Sequence, residues 1–101
     1  MKRSKRLDPI HPGEILQEDF MKPMGISINR LARDLDVPPN RISAIVNGVR
    51  SITADTALRL GTYFRVSPEI WLGLQIEFDL RVIRQNKGDE IISRVRSRPA
   101  A

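Results

Sequence analysis

The run Pro39-Asn40-Arg41-Ile42-Ser43-Ala44 crowds several recognition-capable side chains into little more than one helical turn. An arginine makes paired hydrogen bonds to guanine O6 and N7, and an asparagine to adenine N6 and N7, so Arg41 and Asn40 are suited to base edges. Ser43 is a shorter and less selective donor and acceptor. Ala44 fits a thymine methyl, and Pro39, lacking an N–H, offers shape contact alone. Such a set reads the major groove of duplex DNA, provided it sits at the start of a helix that faces outward.

The flanking sequence builds that support. Ser27 is suited to cap a helix, and Ile28, Leu31, Ala32 and Leu35 then recur at i, i+3, i+4 and i+7, one apolar face. The pattern stops at Asp36-Val37-Pro38-Pro39. Pro38 biases Val37 away from helical geometry, while Pro39 can open a second helix because its missing N–H would be unpaired there. Ile42, Ile45 and Val46 supply an inward stripe, and Asn47-Gly48 closes the helix with a residue able to take positive φ. The stretch 27–47 is therefore a helix-turn-helix. In that geometry Ser27 with its helix N-terminus, Asn47 and Arg50 are placed for phosphate. Ser27 and Asn47 also have plain readings as caps, and Arg41 as a solvated charge.

Several ordered blocks resemble a known family. HPGEIL at 11–16, the motif itself, NG at 47–48, SITADTALRL at 51–60 and SPEIWLGLQ at 67–75 are similar to the HigA-type (VapI-like) antitoxins of the Xre/Cro helix-turn-helix group. The resemblance spans residues 8–85. It implies an all-α, five-helix lambda-repressor-like domain. It also implies a dimeric repressor that binds a palindromic operator in double-stranded DNA, autoregulates its operon and neutralises a HigB-like ribonuclease toxin. Two alternatives stay open: a stand-alone Xre-family regulator without a toxin, and a protein-interaction antitoxin with little DNA binding. Asp36 stands where the family usually has a turn glycine, and Asp tolerates the left-handed conformation better than most residues.

The remaining elements frame the motif. A first helix is expected from Pro12 to about Lys22, burying Ile15, Leu16 and Phe20, with Pro23 as its stop. Thr53 caps a helix with Ala54, Ala57, Leu58, Gly61 and Phe64 facing inward. Ser67-Pro68-Glu69 opens the last helix, where Trp71, Leu74 and Phe78 complete the core. Leu72, Ile76, Leu80 and Ile83 form a second stripe on that helix, roughly 130° around it at 100° per residue. A small domain cannot wrap both faces of a terminal helix, so the second stripe predicts a two-fold homodimer interface. The competing reading folds the end of the chain back, with Ile91, Ile92 and Val95 as the cover. Gly88 is read as the end of the helix. The expected organisation is a basic disordered arm over 1–7, a helix-turn-helix domain over 8–86 and a basic tail over 87–101.

A chain of 101 residues fits one domain with a modest core. Its net charge of +5 is unevenly placed: residues 1–6 carry +4 and residues 81–101 another +4, leaving the body at −3. Attraction to phosphate must then come from a few placed basic residues, helix N-termini and the two ends. Zero cysteines exclude a disulfide framework and thiolate metal sites. The basic start has no apolar run behind it and nothing approaches a membrane span, so a cytoplasmic protein is expected, with no membrane, cofactor or small-molecule substrate as partner. Enzymatic readings find no support. His11, the sole histidine, reads as a cap or packing group. Glu14, Glu18 and Asp19 read as a solvated helix face, and no phosphate loop or nucleophile elbow is present.

Overall fold

Helix α1 begins where His11-Pro12 predicts, in a computed structural model that describes residues 8–100. The basic arm over 1–7 lies outside the described residues. α1 runs unbroken through Pro12–Ile15, a π-helical stretch Leu16–Met21, and Lys22–Met24. Pro23 does not stop it, against expectation. The Lys22 N–H reaches back five residues to the Gln17 carbonyl, and this wider turn accommodates a proline ring that would collide with the carbonyl four residues earlier in a regular α-helix. Gly25, at φ 65°, provides the actual stop. Its N–H bonds to the Lys22 carbonyl at 3.1 Å and that of Ile26 to the Met21 carbonyl at 2.9 Å, the paired bonds of a Schellman turn.

Helix α2 (Ile28–Leu35) starts on the Ser27 hydroxyl, which accepts from the Arg30 N–H at 3.0 Å. Asp36 ends it in the left-handed region, at φ 60°, and Val37 then donates to the Ala32 carbonyl at 3.0 Å. Helix α3 (Pro39–Val46) follows directly, with Pro39 in its first turn. Thr53 caps α4 (Ala54–Phe64), and Ser67 caps α5 (Pro68–Arg94). The described residues are otherwise turns and loops, with no strand among them.

One core joins all five helices. Leu16, Leu31, Ala32, Ile42, Ile45, Ile52, Ala57, Leu60 and Trp71 are buried. Trp71 is completely enclosed, its ring centroid 4.9 Å from Phe20, which in turn lies 5.0 Å from Phe64. These aromatic pairs lock α1, α4 and α5 together, each adding to the area it buries.

One expectation about a helix face and one about a helix end are corrected. On α4 the buried residues are Thr56, Ala57, Leu60 and Gly61, while Leu58 is 61% exposed and Ala54 is on the surface. Ala57, Gly61 and Phe64 fit both stripes. The row through Thr56 and Leu60 ends on Phe64 in the aromatic cluster, whereas the row through Ala54 and Leu58 ends on the polar, exposed Thr62. On α5, Gly88 does not end the helix, which continues to Arg94. An interior glycine costs only about 1 kcal/mol relative to alanine. Without a left-handed cap there, good helix formers and an Arg94–Glu90 pair at 3.8 Å carry the helix through. The fold-back reading fails with it, since Ile91, Ile92 and Val95 stand exposed on and just beyond the continued helix.

Candidate nucleic-acid interface

Helix α3 is held from behind and open in front. Ile42 and Ile45 are fully buried, and Gly13 of α1 packs directly against the α3 backbone. At about 100° per residue, Asn40, Ser43, Ala44 and Asn47 fall within an arc of roughly 100° on the opposite side. Pro39, Asn40 and Asn47 are exposed and Ser43 and Ala44 half-buried. The Asn47 side-chain amide reaches the Ser43 hydroxyl at 3.5 Å. The sequence-predicted set is thus brought together on one surface, with Arg41 set apart.

Arg41 lies on the flank of α3, only about 40° from Ile45 around the helix. Its Nη1 donates to Asp55 Oδ1 of α4 at 2.8 Å, and its side chain retains 23% of its exposure. The same Asp55 oxygen accepts from Arg59 Nε at 2.8 Å, and Arg59 Nη1 donates onward to the Leu35 carbonyl at 2.7 Å and the Asp36 carbonyl at 3.3 Å. Arg59 and then Arg41 hold the Asp55 carboxyl below the ordinary carboxylate range. Sequence reasoning missed Asp55 and Arg59. The Asp55–Arg59 spacing of four residues was available as an i, i+4 pair, but nothing local shows that Arg41 joins it.

The three residues expected at phosphate have different surroundings. Ser27 Oγ is occupied as a cap, Asn47 sits at the exposed end of α3, and Arg50 is exposed in the loop that follows. Another residue holds that loop. Gln75 of α5 is buried and accepts from the Ile52 N–H at 2.8 Å while donating to Asp79 at 3.0 Å. A polar residue among Trp71, Leu74 and Phe78 was the available signal for it. His11 also lies beside this region: its ring packs edge-on against Phe78, centroids 4.9 Å apart, and a Cβ at Gly48 would meet it at 3.8 Å.

His11 caps α1 through Nδ1, which accepts from the Gly13 N–H at 2.8 Å and must be unprotonated to do so. Burial pushes its pKa below 6.5, outweighing the nearby Asp79 charge. A histidine whose pKa is lower folded than unfolded contributes stability that is complete above the unfolded value. That stability is lost as pH falls from there through the folded value. Thermal melts between about pH 7.5 and about pH 5 should show this decline, and His11→Asn, which caps without titrating, should flatten it. An unchanged slope in that variant would remove His11 as the cause.

Of the stripe on α5, Ile76 is 59% and Leu80 and Ile83 each 44% exposed, while Leu72 is partly buried against the core. Among the described residues no group of His, Cys, Asp and Glu converges as a metal site, and no helix is long and apolar enough to cross a membrane.

The comparisons with known proteins converge on this architecture. A helix-turn-helix family model matches residues 18–71. Virulence-associated protein I of Dichelobacter nodosus is 53% identical over 78 residues, 77% of this chain and 72% of that protein. The structure of antitoxin GraA in complex with its operator is 46% identical at a TM-score of 0.87 and covers 99% of each chain. The Pseudomonas aeruginosa antitoxin HigA, solved with the higBA promoter, is 41% identical at a TM-score of 0.84, covering 87% of this chain and 96% of its own. With a family model over more than half of its length and relatives at these identities and coverages, the chain belongs to the Xre-type helix-turn-helix family of the HigA antitoxins and virulence-associated protein I.

Proposed function

We propose that this protein is a sequence-specific transcriptional repressor of the HigA antitoxin type, which binds the operator of its own operon as a two-fold dimer. The observation that carries the reading is the free outer side of α3, open while Ile42 and Ile45 anchor its back. In this reading Asn40, Ser43 and Ala44 meet base edges, with Pro39 giving shape contact at the helix start. Ser27, Asn47 and Arg50 bond phosphates and set the register. Leu72, Ile76, Leu80 and Ile83 pair across the two-fold axis, so that two α3 helices enter half-sites about 34 Å apart. Repression is steric, by occupancy of the promoter. The antitoxin role, capture of a HigB-type ribonuclease, rests on the HigA relatives.

A mobility-shift series on the chain's own promoter tests the DNA half. Arg50→Ala should weaken binding to every sequence alike and flatten the salt dependence by about one counterion. Asn40→Ala should cost about 1–3 kcal/mol on the operator and relax preference at one base pair of each half-site. Wild-type protein that binds its promoter no better than unrelated DNA would overturn the repressor reading.

A further inference from the structure

We propose that Asp55 is a positioning residue for operator recognition: it holds Arg41 against α4, so that Arg41 acts as a strut setting the pitch of α3 and does not read a base. The proposal rests on the repressor reading above and assigns roles within it.

The arrangement is a closed chain of charge-assisted hydrogen bonds linking three helices. Arg41 leaves α3 and meets Asp55 Oδ1 in the first turn of α4 at 2.8 Å. Arg59, one turn further along α4, takes the same oxygen at 2.8 Å. Through Nη1 at 2.7 Å it then grips the Leu35 carbonyl, at the point where α2 passes into the turn before α3. Both ends of the inter-helix turn are therefore tied to α4, one by Arg59 and the other by Arg41. Asp55 is more than half exposed, so these bonds add little net stability, and what they supply is direction and distance.

Two further observations argue against a reading role for Arg41. Its Nε is enclosed by protein and has no partner, so the guanidinium stem is packed into the α3–α4 junction. To reach a base it would have to abandon Asp55 and withdraw from that packing. Asp55 itself is a poor choice for a DNA-binding surface on charge alone, since a carboxylate there repels phosphate. Its position is accounted for by what it holds.

The test compares full-length protein on its operator and on a scrambled duplex of the same length, by fluorescence anisotropy. Asp55→Asn removes a negative charge, so binding to the scrambled duplex should hold or tighten. The operator-to-scrambled preference should nevertheless fall about tenfold. Arg41→Ala should lower the preference by a similar factor, and the double variant should lower it no further, because the pair acts as one unit. On operators carrying single base changes, the loss should spread over the half-site. Arg41→Lys, which can still reach Asp55, should recover most of the preference and serves as the folded reference should Arg41→Ala melt early. The strut is overturned if Asp55→Asn leaves the preference unchanged. It is also overturned if Arg41→Ala erases preference at a single base pair while Asp55→Asn does not. If wild-type protein shows no preference for its operator, the failure is of the repressor reading, which the same plate reports separately.

Discussion

Gly13→Ala should be the most damaging small substitution in the chain, although it adds a single methyl group to a helix. An ideal Cβ at Gly13 would lie 1.7 Å from the Ile45 carbonyl oxygen and 2.6 Å from its carbon. Both are backbone atoms of the recognition helix, so no side-chain rotation relieves the collision. α1 and α3 must separate, exposing Leu16 and Ile45, both now fully buried. Overpacking of this kind typically costs 1–3 kcal/mol and more against backbone, so about 3 kcal/mol is expected. For a domain of this size that lowers Tm by about 12–24 °C. Because the displaced partner is α3, operator affinity should also fall at temperatures where the variant remains folded. Gly25→Ala is the control: no atom lies within 4 Å of its Cβ, and only the strain of φ 65° applies, about 1 kcal/mol. Calorimetry showing Gly13→Ala no less stable than Gly25→Ala would disprove the close approach.

Ile76→Glu should separate the fold from its assembly. Ile76 is 59% exposed, so glutamate there costs the monomer little, and far-UV circular dichroism should be unchanged. Against a partner's stripe the same carboxylate would be desolvated without a counter-charge, which a modest interface does not survive. Light scattering should report monomer mass. Operator affinity should drop by about 100-fold or more, since the second half-site is no longer reached as an intramolecular event. A variant that keeps dimer mass places the interface elsewhere on the molecule.

What could be read from the sequence was local. Ser27 as cap, Pro38-Pro39 as a break with restart, and Asp36 in the left-handed region each depend on a few adjacent residues, and the structure has all three. The misreadings also share a cause, which is treating a residue's preference as a decision. Pro23 reads as a stop because regular helices exclude it, and the π turn that admits it has no sequence marker. Gly88 reads as a stop on a preference worth about 1 kcal/mol, too little to end a helix without a cap. Leu58 and Leu60 compete for the same core on nearly equal periodicity, and the packing of Phe64, next along the Leu60 row, against Phe20 breaks the tie. At the interface, the outer side of α3 was legible from spacing alone. The Arg41–Asp55 bond, spanning 14 positions, exists only once α4 has docked.

The last helix has a consequence for how operators diverge among these proteins. α5 carries Trp71 in the core, Gln75 on the loop bearing Arg50 and the stripe proposed to meet a second copy. In that assembly, the distance between two reading heads is set by α5, a helix that supplies none of the proposed base contacts. Altering nucleobase preference and altering half-site separation then become separable engineering problems, the first solved on α3 and the second by recutting the pairing side of α5.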